Sequence, residues 1–155
     1  MLLLHGLEGS PTGAKAQALR RSFDLVAPAL PTGDFDACVQ LAREATREHT
    51  PDVLVGSSFG GAGALQLLQD GRWTGPTLLL APASRFLLGP VALPDAARIL
   101  IVHGRDDAVV PIEQSRDLAA THPCVRLVEV DDGHRLSSLL EGEHLGSYVE
   151  QAARL

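Results

Sequence analysis

Short runs of consecutive apolar residues, separated by longer segments of helical period, constrain this chain more than any other feature. The runs are Leu2–Leu4, Leu25–Ala27, Val53–Val55, Leu78–Ala81, Ile99–Val102 and Val125–Val130. Most are apolar at successive positions, the pattern of a strand covered on both faces. Such strands belong to parallel sheets whose crossovers are helices. The expectation is an α/β fold: a three-layer α/β/α sandwich around a six-stranded parallel sheet.

The intervening segments carry the helical signal. Phe35, Cys38, Leu41, Ala42 and Ala45 fall on one face of a helix, with Arg43, Glu44, Arg47 and Glu48 turned away. Pro111 opens a second helix that turns Ile112, Ser115, Leu118 and Ala119 inward, since proline suits the first helical position. A final helix runs through Tyr148, Val149 and Ala152, after the break signalled by Gly142 and Gly146. No linker, repeat or low-complexity stretch divides the 155 residues, so residues 1–155 are expected to form a single domain. With 45% apolar residues but only 4% aromatic, its core must be built from Leu, Val, Ile and Ala.

The sequence Val53-Leu54-Val55-Gly56-Ser57-Ser58-Phe59-Gly60-Gly61 takes an apolar strand into G-x-S-x-G and then into the helical stretch Ala62–Leu68. The pattern alone is weak, because average Gly and Ser usage places it somewhere in about one chain in twenty of this length. Its setting between strand and helix is what a nucleophile elbow requires. A serine at so tight a turn has a strained backbone, and Gly56 and Gly60 stand where side chains would strike neighbouring backbone. Ser57 has Val55 in place of the first glycine, so Ser58 is the serine at the turn. The helix that follows aims its first amides at Ser58 and favours negative charge there.

A serine hydroxyl needs a base to take its proton, and the base needs a partner to orient it. Two later strand ends supply both. Ile99–Val102 leads into His103-Gly104-Arg105-Asp106-Asp107, and Val125–Val130 leads into Asp131-Asp132-Gly133-His134. Asp107 and His134 thus fall at carboxyl ends of strands, where open parallel sheets build their sites. The chain order Ser, Asp, His is that of an α/β-hydrolase and differs from the trypsin and subtilisin orders. The remaining requirement is an oxyanion hole made of backbone amides. Leu4-His5-Gly6-Leu7-Glu8-Gly9 offers a glycine-containing loop at the first strand end, and its Leu7 amide together with the Phe59 amide are the expected donors.

Four patches together resemble the small bacterial YqiA-like esterases of the α/β-hydrolase superfamily. They are Leu4-His5-Gly6 with Ser10-Pro11 and Lys15-Ala16, the Gly56–Gly61 elbow, Gly104-x-x-Asp107-x-x-Val110-Pro111, and Gly133-His134-Arg135. The resemblance runs through nearly the whole chain and implies the Ser58, Asp107 and His134 triad, oxyanion amides from Leu7 and Phe59, no cofactor, and activity on short acyl esters. It also implies a minimal sheet in the spatial order 2-1-3-4-5-6, without a lid domain. The Asp-x-x-Val-Pro spacing selects Asp107, with Asp106 the alternative. Glu8 departs from the family, where a neutral polar residue is expected, and sets a carboxylate beside the oxyanion loop. Lys15 belongs to the family's motif, although a solvated helix lysine accounts for it equally well.

Other features restrict the function. A formal charge of −6 without a Lys or Arg cluster disfavours nucleic acid and anionic membranes as partners. Cys38 and Cys124 have no C-x-x-C spacing and suit small core residues in a reducing compartment, and the Leu2–Leu4 run stops too soon for a signal-peptide core. A cytoplasmic location is expected. His5 and His103 each precede a glycine at a strand end, but their spacing matches no metal motif, and bonds to nearby backbone suffice for them. The segment Arg85–Pro90 is too short for a lid, which leaves an open site. Its Phe86, Leu87 and Leu88 either line an acyl pocket or pack as an ordinary loop, and Trp73 is read as packing. The expected activity is hydrolysis of a small-molecule carboxylic ester through an acyl-enzyme. The alternatives are a thioesterase, amidase or peptidase with the same triad, or a non-catalytic partner-binding protein on the same fold.

Overall fold

Every apolar run except one joins a single parallel sheet. The structure, a computed structural model, describes residues 1–155. Strands β1 (Leu2–Leu4), β2 (Leu54–Ser57), β3 (Pro76–Leu80), β4 (Arg98–Gly104) and β5 (Val125–Val130) lie in the order β1-β2-β3-β4-β5, all parallel. The sheet therefore has five strands where six were expected. The run Leu25–Ala27 contributes only one parallel bridge, Val26 with Leu2, on the outer edge of β1. Val26 exchanges two backbone bonds there, to Met1 O and from Leu3 N, and Pro28, with no N–H to give, cannot continue the ladder. The implied spatial order is kept, with its outermost strand reduced to a bridge.

Six helices accompany the sheet: α1 (Ala14–Arg20), α2 (Phe35–His49), α3 (Phe59–Gln69), α4 (Ser84–Leu88), α5 (Glu113–Thr121) and α6 (His144–Ala153), with a 3₁₀ turn at Ser137–Leu140. Successive strand residues point to opposite faces, and this explains the unbroken apolar runs. Leu2, Leu4, Leu54, Leu79, Ile99 and Ile101 meet Cys38, Leu65, Leu68 and Leu118 of α2, α3 and α5. On the other face Leu3, Val55, Leu78, Leu80, Leu100 and Val102 meet Leu19 of α1 and Leu145, Val149 and Ala152 of α6. The result is helix, sheet, helix in three layers.

The helix signals have visible causes. Asp34 caps α2 by accepting from the Ala37 amide at 3.0 Å, and the buried residues Cys38, Ala42 and Ala45 lie on the face read from the sequence. Burial pushes the Cys38 thiol up to about 11, as for a small inert core residue. Helix α6 starts at His144, so Gly142 precedes it and Gly146 lies inside it. The Phe23 ring packs beside Gly146, 3.4 Å from where a Cβ would stand. Trp73 is partly buried, and its indole donates to Thr77 Oγ1 at 2.9 Å. No helix is long and apolar enough to cross a membrane.

Candidate active site

Ser58 sits between β2 and α3 with φ 52° and ψ −111°, a backbone conformation that costs a non-glycine residue about 1–3 kcal/mol. Its neighbours hold it there. The Ser58 amide donates to Leu80 O, and the Ser58 carbonyl accepts from the Ala62 and Ala83 amides. A Cβ on Gly56 would lie 2.7 Å from Gly60 O, and one on Gly60 would strike the Leu4 carbonyl. Both glycines therefore answer to close backbone approach.

A second close approach joins the loops after β4 and β5. The Asp132 carbonyl occupies the space a side chain on Gly104 would need. Arg105 N donates to Val130 O at 2.8 Å and Asp106 N to Asp132 O at 3.1 Å, clamping the loops together. Across this clamp His134 Nδ1 donates to Asp107 Oδ2 at 2.7 Å, and the Ser58 hydroxyl donates to His134 Nε2 at 3.0 Å. The directions follow from the carboxylate, which only accepts, so the Nδ1–H tautomer leaves Nε2 free to receive the serine proton. Residues 58, 107 and 134 thus form one continuous chain of hydrogen bonds.

Asp107 is the acid in this chain; Asp106 is exposed and does not bond His134. The Asp107 side chain has no exposed surface. Burial pushes its carboxyl up, but bonds from the Val110 amide, the His134 ring and the Val109 amide outweigh burial and hold it below the usual carboxylate range. Its Oδ1 accepts from Val109 N at 2.9 Å and Val110 N at 2.8 Å. With only donors around it, the group is an anion.

The His134 loop is braced from beneath. Asp132 accepts from the Gly133 and Ser138 amides, at 2.7 and 2.8 Å. The Lys15 ammonium donates to Arg135 O at 2.7 Å. Burial lowers the Lys15 ammonium, with Asp132 opposing and Arg135 assisting. Lys15 is thus no solvated helix lysine but a prop, from α1, for the residue after His134. Glu8 and Arg135 form an exposed pair at 3.3 Å, so the unexpected carboxylate faces a cation on the histidine loop.

At the end of β1 the Leu7 amide donates to no protein group, and a Cβ on Gly6 would lie 3.3 Å from Ser58 Cβ. The His5 ring donates from Nδ1 to Gly6 O at 2.9 Å and accepts at Nε2 from Leu30 N at 3.2 Å. Gly6 O also accepts from Gly9 N. His103 bonds Asp107, Val110 O and Ser115, a set of contacts that sequence spacing did not indicate. No group of three or more His, Cys, Asp or Glu side chains is placed to hold a metal ion. Cavities of about 420 and 440 Å³ lie elsewhere, one against Phe23, Pro51 and Val149 and one between α4 and α5. Phe86, Leu7 and Val109 are the exposed large apolar residues, and each belongs to a segment leading from a strand end of this rim. Leu87 and Leu88 pack against the core.

No family model matches the chain, and no curated protein matches it. Among solved structures, a protein assigned to the α/β-hydrolase superfamily from Xanthomonas campestris pv. campestris superposes with a TM-score of 0.82 at 27% identity, covering 99% of this chain and 96% of that one. A CIB-like hydrolase, named as predicted, from Thermoplasma acidophilum gives 0.74 at 21% identity, over 99% and 86%. Est1E from Butyrivibrio proteoclasticus gives 0.73 at 17% identity, over 99% and 84%. The sheet, the strained serine and the full-length likeness define an α/β-hydrolase fold. The chain belongs to the α/β-hydrolase superfamily.

Proposed function

We propose that the protein is a serine hydrolase of the YqiA-like type, cleaving small carboxylic esters of short acyl chains through an acyl-enzyme. The observation that carries this reading is the unbroken hydrogen-bond chain from Ser58 Oγ through His134 to Asp107. Ser58 Oγ bonds to the ester carbonyl carbon while its proton passes to His134 Nε2. The Leu7 and Phe59 amides hold the oxyanion, Phe59 as the residue after the nucleophile and at the opening of α3. Collapse breaks the carbon–oxygen bond to the alcohol, which leaves with the proton from His134. Water repeats the sequence on the acyl-enzyme and frees Ser58 and the acid. Asp107 keeps the imidazole in the Nδ1–H tautomer throughout.

The neighbour Est1E has a structure with ferulic acid bound. A carboxylic acid is what ester hydrolysis releases, which accords with this reaction class. The test is Ser58→Ala on a graded series of p-nitrophenyl esters. Turnover should fall by about 10³- to 10⁶-fold, and Ser58 should label with a fluorophosphonate in the parent protein alone. Undiminished turnover in the variant would remove the proposal, and kcat/KM on matched thioesters and amides reports the leaving-group preference.

A further inference from the structure

We infer that His103 is a positioning residue for the Asp107–His134 pair, a neutral imidazole that anchors the carboxylate oxygen to which His134 also donates. The role rests on the serine-hydrolase reading and extends it to a residue that the proton relay itself does not use.

His103 lies in β4 with no exposed surface. Its Nε2 is 3.1 Å from Asp107 Oδ2 and 3.0 Å from Val110 O. Both oxygens only accept, so Nε2 carries a proton and shares it between them. Its Nδ1 is 2.7 Å from the hydroxyl of Ser115, a fully buried residue of α5. A neutral ring has one proton, so Nδ1 accepts and Ser115 donates. The tautomer of His103 is therefore set by a helix on one side and a carboxylate on the other.

Asp107 then receives four donors, two on each oxygen. Val109 and Val110 amides fill Oδ1, while His134 and His103 share Oδ2. The two amides fix one oxygen only. The other is shared by two imidazoles, of which His103 takes no part in the proton relay and stays fixed in the strand. A buried apolar residue would fill the same strand position at no polar cost. An imidazole buried here is tolerable because all of its polar atoms are bonded, and those bonds converge on the acid loop. A neutral donor on Oδ2 also draws off part of the charge that Asp107 presents to His134. Without that donor His134 becomes the more basic group.

The charged groups on the two loops that carry this pair are Arg105 and Asp106 on the acid loop and Asp131, Asp132 and Arg135 on the histidine loop, with Lys15 and Glu8 held against Arg135. None is changed in the variants that test the role. His103→Phe fills the space without a donor; His103→Gln returns an N–H donor at the ring's far end and an acceptor for Ser115. His103→Phe should lower kcat for a p-nitrophenyl ester by about 10- to 100-fold with KM nearly unchanged, and His103→Gln should recover most of the loss. In ¹⁵N-histidine-labelled protein, His103 should show the Nε2–H tautomer, and the His134 titration midpoint should rise in His103→Phe and return in His103→Gln. Ser115→Ala, which leaves β4 intact, should mix the His103 tautomers and move the His134 midpoint the same way if His103→Phe does not fold. An unchanged midpoint in these variants, or Gln performing no better than Phe, would overturn the inference. The NMR titration needs no turnover, so an inactive parent protein would count against the hydrolase reading while the midpoints still decide the role of His103.

Discussion

At the level of single residues, the site depends on which atoms are able to donate. Asp107 is surrounded by N–H groups, and that pattern decides what an amide in its place would do. In Asp107→Asn the carbonyl oxygen would keep the Val109 and Val110 amides, turning the NH₂ toward His134. His134 Nδ1 would then have to accept, its proton would move to Nε2, and Nε2 would no longer receive the proton of Ser58. Ester turnover should fall by about 10⁴-fold with the fold retained. Parallel measurement of kcat and a circular dichroism melt separates this outcome from simple unfolding.

Among the elements, the elbow is a meeting of three backbones. Helix α3 approaches β1 so closely that Gly60 has no room for a methyl group against Leu4 O. The approach lets Ser58 stand beside the Gly6 loop. Gly60→Ala should cost about 3 kcal/mol or more, because backbone and not a flexible side chain must give way. A methyl group on Gly33 would meet no atom within 4 Å, so Gly33→Ala should stay within about 0.5 kcal/mol. Urea midpoints of the two variants make the comparison. Equal midpoints would mean that α3 and β1 slide apart at little cost.

For the whole molecule, the carboxylates near the carboxyl edge of the sheet tie stability to pH. Asp107 and Asp132 lie below their usual range; in each, burial pushes upward and hydrogen bonds outweigh it, Asp132 being held chiefly by Ser138 and Gly133. Glu129 is lowered to about 2, first through its bond from Arg116 and then by Arg105. Unfolded Asp and Glu titrate near about 3.9 and 4.3, so the unfolded chain binds more protons in acid than the folded one. Their stabilisation is present above those unfolded values and is lost as pH falls through the lower folded ones. The urea midpoint should hold from pH 7 to about 5 and then decline steeply toward pH 3. A midpoint flat to pH 3 would contradict the assigned shifts.

The fold class was legible because burial on both faces forces consecutive apolar residues, a signature that Leu2–Leu4 and Ile99–Val102 carry without any partner in view. The turn at Ser58 was legible for a similar reason, since local sterics demand Gly56 and Gly60 whatever surrounds them. The run Leu25–Ala27 misled because a strand needs a ladder as well as an apolar pattern, and Pro28 ends that ladder after one bridge. Helix α1 was read only as the setting of a solvated Lys15, and the contact of that residue with Arg135 O, a bond between residues 120 apart in sequence, escaped notice. The choice of Asp107 over Asp106 rested on spacing, but the bond to His134 depends on the clamp of Gly104 against Asp132. His103 shows the division most plainly. Its position in β4 was evident from the chain itself, while its work on Asp107 Oδ2 and Ser115 arises only where α5 folds back over the strand. Local sterics and periodicity are properties of neighbouring residues and are written in their order. Hydrogen bonds between distant side chains exist only after packing has brought them together.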